Sequence, residues 1–364
     1  MRLFEGATMN RYSIAALGCV AVLGVAALSM PSGSRAATPY RSSLPVQAAM
    51  PGFDGATTWF NSAPLTPAQL RGKVVLVDFW TYSCINCIRT VPYVRAWADK
   101  YRAHGLTVVG VHSPEFRFEK DLTNVSAAVS RFKIDFPVAV DSDHRIWQAW
   151  GNNAWPAWYL VDANGKIRYR QVGEGGYDKL ERAMQSLLAE ARGGPVDATL
   201  VDPAGAAEQM APDLRQLDSA ETYVGYRQAS GFNSPEGVRR DVAHQYSAGQ
   251  LGLNQWALSG RWTVNAESAR AELAGGAIAH QFRARDLHLV MGPGQAGRTV
   301  RIKVSVDGRA PGADHGADID ADGNGVVTAT RLYQLVRQSG SALQRRVEIR
   351  FLDSGAEVYA FTFG

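Results

Sequence analysis

Cysteine is scarce in this sequence, with three residues in 364. Cys19 lies in an apolar N-terminal stretch, so the rest of the chain holds one pair, Cys84 and Cys87. An exported domain that relies on disulfides for rigidity would contain several pairs that close long loops. One bridge across a two-residue gap would constrain almost none of the entropy of the unfolded chain. The scarcity of cysteine therefore argues against a structural disulfide framework.

The sequence also lacks the ligands of a metal site. Zinc in a structural site needs four ligands, usually from two Cys-x-x-Cys pairs or from one pair and histidines. There is no second pair, and the seven histidines show no ligand spacing. "DIDADGNG" (Asp318–Gly325) is similar to a calcium loop, but Ala329 stands where such a loop has a bidentate glutamate. We expect a hairpin turn there and no metal.

Basic runs and long apolar runs are missing outside the N-terminus. The net charge of +4 is not concentrated in any segment, so no nucleic-acid partner is expected. Residues Tyr12–Met30 are apolar, follow Arg2 and Arg11, and precede small residues. This pattern predicts an export signal over residues 1–36 that is cleaved before Ala37, with an uncleaved membrane anchor as the alternative. We therefore expect a periplasmic or other extracytoplasmic location.

Residues 46–191 alternate strand and helix patterns. "KVVLVDFW" (73–80) is a continuous apolar run, typical of a strand that is covered on both faces. The segment from Cys84 has helical spacing and ends at Gly105, and a hairpin turn is predicted at Asn164-Gly165. The alternation predicts a three-layer α/β domain.

The texture of the sequence changes after that domain. Residues 192–220 are rich in Gly, Pro, Ala and Asp, which predicts a linker. Residues 221–364 alternate apolar and polar positions between Gly/Asp turns, which predicts an all-β sandwich of the jelly-roll type, similar in outline to carbohydrate-binding modules. Four aromatic residues are either a sugar-stacking surface or part of the sandwich core: Trp256, Trp262, Tyr333 and Tyr359.

Redox exchange is the chemistry that best fits Cys84 and Cys87. Cys84 follows a predicted strand and begins a predicted helix, where free N–H groups and the helix dipole favour a thiolate. The spacing puts Cys87 one turn further along, within reach of its partner. We expect Cys84 to attack a substrate disulfide and Cys87 to resolve the mixed disulfide. No cofactor is expected beyond a redox-active Cys84–Cys87 disulfide.

Asp78 is a candidate base for this exchange. It lies six residues before Cys84 in an otherwise apolar strand pattern. Burial would raise the pKa of its carboxyl towards a value that suits a base for the resolving thiol. The alternative is an aspartate that caps the strand or is exposed at its end.

The motif "VDFWTYSCINC" (77–87), with Trp80 upstream of the cysteines and Pro92 after them, resembles the active-site segment of thioredoxins. Pro156 in "NNAWPAWYLVDANGK" matches the cis-proline that lies beside the cysteines in that family. The resemblance implies that Trp155 and Pro156 form the edge that receives the substrate. An ordinary strand-edge proline is the alternative.

The interval between Cys87 and Pro156 is longer than in plain thioredoxins. Its residues 123–140 resemble the helix and strand inserted in exported TlpA/ResA-like proteins. That resemblance makes Glu115, in "HSPEF", a candidate second acid near the thiols, with an exposed loop carboxylate as the alternative.

Several longer segments are similar to the thioredoxin-like region and the following β-sandwich of the DipZ family. They include "DFWTYSCINCIRTVPYVRAWADKY", "WPAWYLVDANGKIRY" and "GEGGYDKLERA". The resemblance implies an exported thiol-disulfide oxidoreductase of the protein-disulfide reductase type that acts on exported client proteins. It also implies a CcdA/DsbD-like membrane protein as the electron donor, since DipZ-type proteins carry a CcdA-like domain that this sequence does not contain.

Three alternatives can be compared with this prediction. A peroxiredoxin is excluded, because Val77 occupies the position where that chemistry needs proline. A disulfide-introducing oxidase stays open, because Ile85-Asn86 replaces the Gly-Pro of thioredoxin and the intervening dipeptide tunes the reduction potential. A glycan- or protein-binding envelope protein with a redox-sensing cysteine pair also stays open.

Overall fold

The computed structural model describes residues Tyr40–Gly364, so the predicted signal or anchor, residues 1–36, lies outside the described residues. Two sheets make up most of this part of the chain. Within it, none of the helices combines the length and the apolar character that a membrane span requires.

Seven strands form the first sheet. They are β1 (Ala48–Ala49), β2 (Thr58–Phe60), β3 (Val74–Trp80), β4 (Leu106–His112), β5 (Val138–Val140), β6 (Ala157–Val161) and β7 (Lys166–Val172). Their order is β1-β7-β6-β3-β4-β5-β2. At the centre, β3 pairs in parallel with β4 and antiparallel with β6. This mixed sheet with β3 in the middle is the thioredoxin fold, as predicted.

Four α-helices accompany this sheet: α1 (Ile85–Tyr101), α2 (Leu122–Arg131), α3 (Arg145–Ala149) and α4 (Tyr177–Arg192). Every residue of β3 is buried, because both faces of the strand are covered. Val74 and Leu76 belong to the apolar cluster that contains α1 and α4, whereas Val75 and Val77 belong to a second cluster with α3. Since side chains alternate along a strand, Asp78 lies on the α1 face.

Eleven strands form the second, antiparallel part. They are β8 (Thr222–Tyr223), β9 (Ala243–Tyr246), β10 (Trp256–Val264), β11 (Ala269–Ala271), β12 (Ala277–Arg283), β13 (Asp286–Gly292), β14 (Val300–Val306), β15 (Asn324–Val327), β16 (Arg331–Arg337), β17 (Gln344–Phe351) and β18 (Glu357–Phe363).

Strand β10 joins the two layers of this antiparallel part. Its first half pairs with β12, and its second half pairs with β9 and β11. The change of partner occurs at Gly260, whose positive φ of 93° favours glycine. The curled sheet that results is the predicted β-sandwich.

Burial decides between the two alternatives for the four aromatic residues. Trp256, Trp262, Tyr333 and Tyr359 are at most 7% exposed, so they are core residues and cannot stack on a sugar. The turn at Asp318–Gly325 also has a structural explanation. The Asp318 carboxylate is bound by Arg331, with 2.6 Å between Nη2 and Oδ1, and Gly323 has a positive φ of 86° as the chain enters β15.

The segment predicted as a linker packs against both parts of the molecule. Between α4 and β8, residues 193–221 contain only two short 3-10 turns, Ala207–Gln209 and Leu214–Gln216. We call these residues the connecting segment. Val201 N–H donates to Glu181 of α4, and Arg337 of β16 donates to the carbonyl of Ala207. The domain limits 46–191, 192–220 and 221–364 remain a prediction.

Candidate active site

Cys84 lies at the N-cap of α1. Its backbone is extended, and the N–H of Cys87 donates to its sulfur over 3.4 Å. A thiolate at this position is stabilised by the free N–H groups of the first helical turn and by the helix dipole. Cys84 is half-buried and Cys87 is fully buried, and both are free cysteines. A partner disulfide can therefore reach Cys84 first.

Cys87 sits where its thiolate is disfavoured. Burial raises its pKa well above the ordinary value, and the neighbouring Cys84 and the charge of Asp78 raise it further. The Thr90 hydroxyl, one turn further along α1, donates to the Cys87 carbonyl over 2.8 Å. Cys87 needs a base if it is to attack at neutral pH.

Asp78 is the candidate for that base. Its side chain is 3% exposed, and burial raises the pKa of its carboxyl to about 7, while the indole of Trp158 on β6 partly opposes the shift. Among the described residues, no hydrogen-bond partner reaches Asp78 Oδ1. The burial of Asp78 agrees with the apolar pattern around it, and its role as the base remains a prediction.

Trp80 and His112 pack against the loop that precedes Cys84. Trp80 is buried, and its ring packs edge-on against His112 at 5.2 Å between centroids. His112 lies 3.4 Å from the Thr81 hydroxyl, and Tyr82 stacks on its other side. Burial lowers the pKa of His112 to about 3, so the ring is neutral and supports the loop by packing.

Glu119 anchors the same loop, and the sequence reasoning missed it. One carboxylate oxygen accepts from the Ser83 hydroxyl at 2.6 Å and from the Ser83 N–H at 3.2 Å. The other accepts from the backbone N–H groups of Glu115 and Phe116. The side chain is fully buried, and burial raises its pKa although these hydrogen bonds oppose the shift. Glu119 thus fixes the residue directly before Cys84.

Glu115, the predicted second acid, points to a different neighbour. Its carboxylate accepts from the hydroxyl of Tyr223 on β8. Burial, together with the charges of Glu221 and Glu119, raises its pKa to about 8. Within residues 40–364, its side-chain hydrogen bond is to the sandwich and not to either cysteine. Its role near the thiols remains a prediction.

Trp155 and Pro156 are joined as the resemblance implies, and their role as the substrate edge remains a prediction. The peptide bond between them is cis. The ring of Trp155 is half-buried and packs against Trp147 at 4.3 Å between centroids. Asp141 holds that partner in place, because its carboxylate accepts from the backbone N–H groups of Ile146 and Trp147. Trp155 is thus supported from α3.

The sandwich is part of the surroundings of α1. The apolar cluster that contains Ile85 and Ile88 also contains Val290, Leu332 and Ala360 of the sandwich. Tyr82 contacts Phe118, whose ring lies 4.5 Å from that of Tyr359.

Arg89, on α1, donates to the carbonyl of Phe363 over 3.2 Å. The cysteine helix is therefore tied to the last strand of the second sheet. Sequence pattern alone gave no signal for this contact.

Comparisons with known proteins agree with this geometry. The Redoxin family model matches residues 45–186, and the model described as "Thioredoxin like C-terminal domain" matches residues 219–364. The protein DipZ of Mycobacterium tuberculosis is 36% identical over 247 residues, which are 66% of this chain and 35% of DipZ. The chain thus spans about a third of the length of the DipZ proteins it matches.

A shorter relative is matched almost completely. The thiol-disulfide oxidoreductase YkuV of Bacillus subtilis is 36% identical over 142 residues, which are 39% of this chain and 95% of YkuV. A solution structure of a thioredoxin-like protein in the oxidised form is 35% identical, with a TM-score of 0.37, and covers 40% of this chain and 97% of its own. On the match to YkuV, the chain belongs to the family of thiol-disulfide oxidoreductases.

Proposed function

We propose that the protein reduces disulfides of exported proteins through Cys84 and Cys87. One observation carries the proposal: Cys84 is half-buried at a helix N-cap, and the N–H of the fully buried Cys87 points at its sulfur. A pair with one accessible and one sealed sulfur suits an exchange in two steps, in which a client meets only the first cysteine.

In the first step the Cys84 thiolate attacks one sulfur of a client disulfide. A Cys84–client bond forms, the client S–S bond breaks, and one client thiolate leaves. In the second step Cys87 loses its proton to Asp78 and attacks the Cys84 sulfur. The Cys84–Cys87 disulfide forms and the second client thiol is released. Two electrons pass from the cysteine pair to the client.

The surroundings of Cys87 favour the reducing direction. A cysteine pair becomes a strong oxidant when its reduced form is stabilised, as in DsbA. Here burial and the charge of Asp78 raise the pKa of Cys87 and disfavour its thiolate. Cys87 therefore adds no stabilised thiolate to the reduced state, and we infer that the pair acts as a reductant although the helix N-cap favours the thiolate of Cys84.

The cellular setting is part of the proposal. The apolar N-terminal stretch and the similarity to DipZ support an exported protein with clients in the cell envelope. The oxidised pair must then be reduced by an external dithiol. A CcdA/DsbD-like membrane protein is the proposed donor, in keeping with the resemblance to the DipZ family.

Two serine variants test the proposal with a peptide that carries one disulfide. Cys87→Ser should accumulate one equivalent of mixed disulfide with the peptide, visible by mass spectrometry. Cys84→Ser should form none and should lose turnover with dithiothreitol as the reductant. Turnover by Cys84→Ser at the wild-type rate would contradict the proposal and would favour a binding protein in which the pair is only a sensor.

A further inference from the structure

A cleft opens on the side of α1 that faces α4. It has a volume of about 420 Å³, within the range of ligand-sized sites. On the thioredoxin-like side it is lined by residues that include Arg89, Tyr93, Glu174 and Tyr177. The rings of Tyr93 and Tyr177 stack at 3.7 Å between centroids and form an apolar wall. We call this space the side cleft.

The opposite wall of the side cleft is built by the connecting segment. Pro203 and Leu214 are among the residues that line it. Leu214 is 67% exposed, which is high for a large apolar side chain. The segment is fixed near this wall, because Arg285 donates to the carbonyl of Ala211 over 2.8 Å. The cleft therefore has two defined sides.

The side cleft also contains unused polar groups. Arg89 is 3% exposed and pairs with Glu174 over 3.2 Å. Among the described residues, Arg89 Nε and Glu174 Oε2 have no hydrogen-bond partner. Both atoms are buried, so the surface that the cleft offers to a ligand consists mainly of its apolar walls. Such walls suit an apolar side chain of a polypeptide.

The side cleft continues from the substrate edge. The N–H of Gly173 donates to the carbonyl of Pro156 over 2.9 Å, and Glu174 follows directly. Val172, just before it, is 48% exposed. Along α1, Arg89 and Tyr93 lie roughly 7 and 13 Å beyond Cys84 at the usual helical rise. An extended chain covers that distance in about two to four residues.

We propose that the side cleft binds a large apolar side chain of the client, about two to four residues from the client cysteine that reacts with Cys84. The proposal rests on the function proposed above and adds a source of client selectivity. Tyrosine and arginine are enriched at surfaces that bind polypeptide, and the exposed Leu214 adds apolar surface to this site. The connecting segment is then part of the client site.

Matched peptides test this assignment on the full chain. Each peptide carries one cysteine in a disulfide with thionitrobenzoate and has either Leu or Ser three residues away, on either side. The value of kcat/KM is measured with dithiothreitol as the reductant. Wild type should prefer a Leu peptide about tenfold, the effect expected for burying one leucine side chain. In Leu214→Asp this preference should fall to about one.

Leu273→Asp is the control, because Leu273 is 59% exposed in the sandwich and lies outside the side cleft. It should keep the full preference. Equal rates for Leu and Ser peptides in wild type, or a preference that survives Leu214→Asp, would overturn the inference. If wild type does not reduce even dithiobis(nitrobenzoate), the proposed function itself fails. Reduction of that reagent without any preference between peptides overturns only the side-cleft proposal.

Discussion

The two parts of the molecule treat a buried aspartate in opposite ways. Asp78 in the thioredoxin-like part is 3% exposed, and burial raises its pKa to about 7. Asp286 in the sandwich is 1% exposed. Burial pulls the pKa of Asp286 upward too, but hydrogen bonds from Arg337 and Arg285 outweigh it and leave the pKa below the ordinary value.

The difference follows from the partners of each carboxylate. Arg337 and Arg285 each approach Asp286 to 2.6 Å, so its charge is compensated inside the protein. Asp78 has no such ion pair within the described residues. An uncompensated buried carboxylate destabilises the fold but can exchange a proton near pH 7. The sandwich pairs its buried aspartate with two arginines, whereas the thioredoxin-like part leaves Asp78 without an ion pair, which suits the proposed role of Asp78 as a base.

The largest expected effect is on the rate of the second step. Asp78→Asn should slow the resolution of the mixed disulfide by about 10²- to 10⁴-fold at pH 8, since a positioned base is lost. Stopped-flow release of the second thiol measures this rate. Asp286→Asn, measured where it is still folded, should keep the wild-type rate. Equal rates in wild type and Asp78→Asn would remove Asp78 from the mechanism.

The pH dependence of the same step sharpens the comparison. Below about pH 7 Asp78 is protonated and cannot accept a proton from Cys87. The wild-type rate should therefore rise about tenfold per pH unit up to pH 7 and then level off. In Asp78→Asn the rise should move to the higher pH at which Cys87 ionises by itself. A flat wild-type profile between pH 5 and 8 would be incompatible with this role.

Stability should change in opposite directions at the two aspartates. Asp286→Asn removes the partner of two arginines and should lower the free energy of unfolding by about 3 to 5 kcal/mol. Urea denaturation at pH 8 measures the change. A loss below about 1 kcal/mol would mean that the arginines do not depend on this carboxylate.

Asp78→Asn should instead stabilise the protein at pH 8, by no more than about 4 kcal/mol. The folded state raises the pKa of Asp78 above its unfolded value, so this carboxyl supports folding below about pH 4 and loses that contribution as the pH rises through 7. The gain of the variant should therefore vanish at pH 3. If Asp78→Asn were less stable than wild type at both pH 8 and pH 3, Asp78 would not be an unpaired buried carboxyl.

The smallest effect is expected at Glu119. Glu119→Gln keeps a hydrogen-bond acceptor but replaces the carboxylate that accepts from the backbone N–H groups of Ser83 and Glu115. The free energy of unfolding should fall by about 1 to 2 kcal/mol, and attack by Cys84 should slow less than tenfold. Glu115→Gln is the matched control and should leave that attack rate unchanged. If Glu115→Gln slowed the attack by Cys84 more than Glu119→Gln did, Glu115 and not Glu119 would be the residue that anchors the loop.

Local sequence pattern was sufficient for the place of the cysteine pair at the start of its helix and for the burial of Asp78, whose catalytic roles remain predictions. Each of these depends on neighbours in the chain: an apolar run, a helix start and a spacing of three. Glu119 was missed because its role depends on a hydrogen bond with Ser83, which lies 36 residues earlier in the sequence. Only the folded chain brings the two together.

The same reasoning explains what the sequence left undecided in the rest of the chain. Trp256 and Trp262 alternate with polar neighbours, and alternation cannot tell which face of a strand is covered. A Gly- and Pro-rich composition predicted a linker, but it gave no signal for the hydrogen bonds to Glu181 and from Arg337 that hold the connecting segment against both parts. Contacts between distant segments leave no periodic signal in the sequence.

The central claim is that Cys84 and Cys87 form a redox pair that donates electrons. The equilibrium reduction potential of the pair, measured in a dithiothreitol series by thiol trapping and mass spectrometry, tests it most directly. We predict a two-electron couple near or below about −270 mV, the value of thioredoxin. A potential tens of millivolts above the roughly −220 to −260 mV of a glutathione pool, or no Cys84–Cys87 disulfide at any potential, would contradict it.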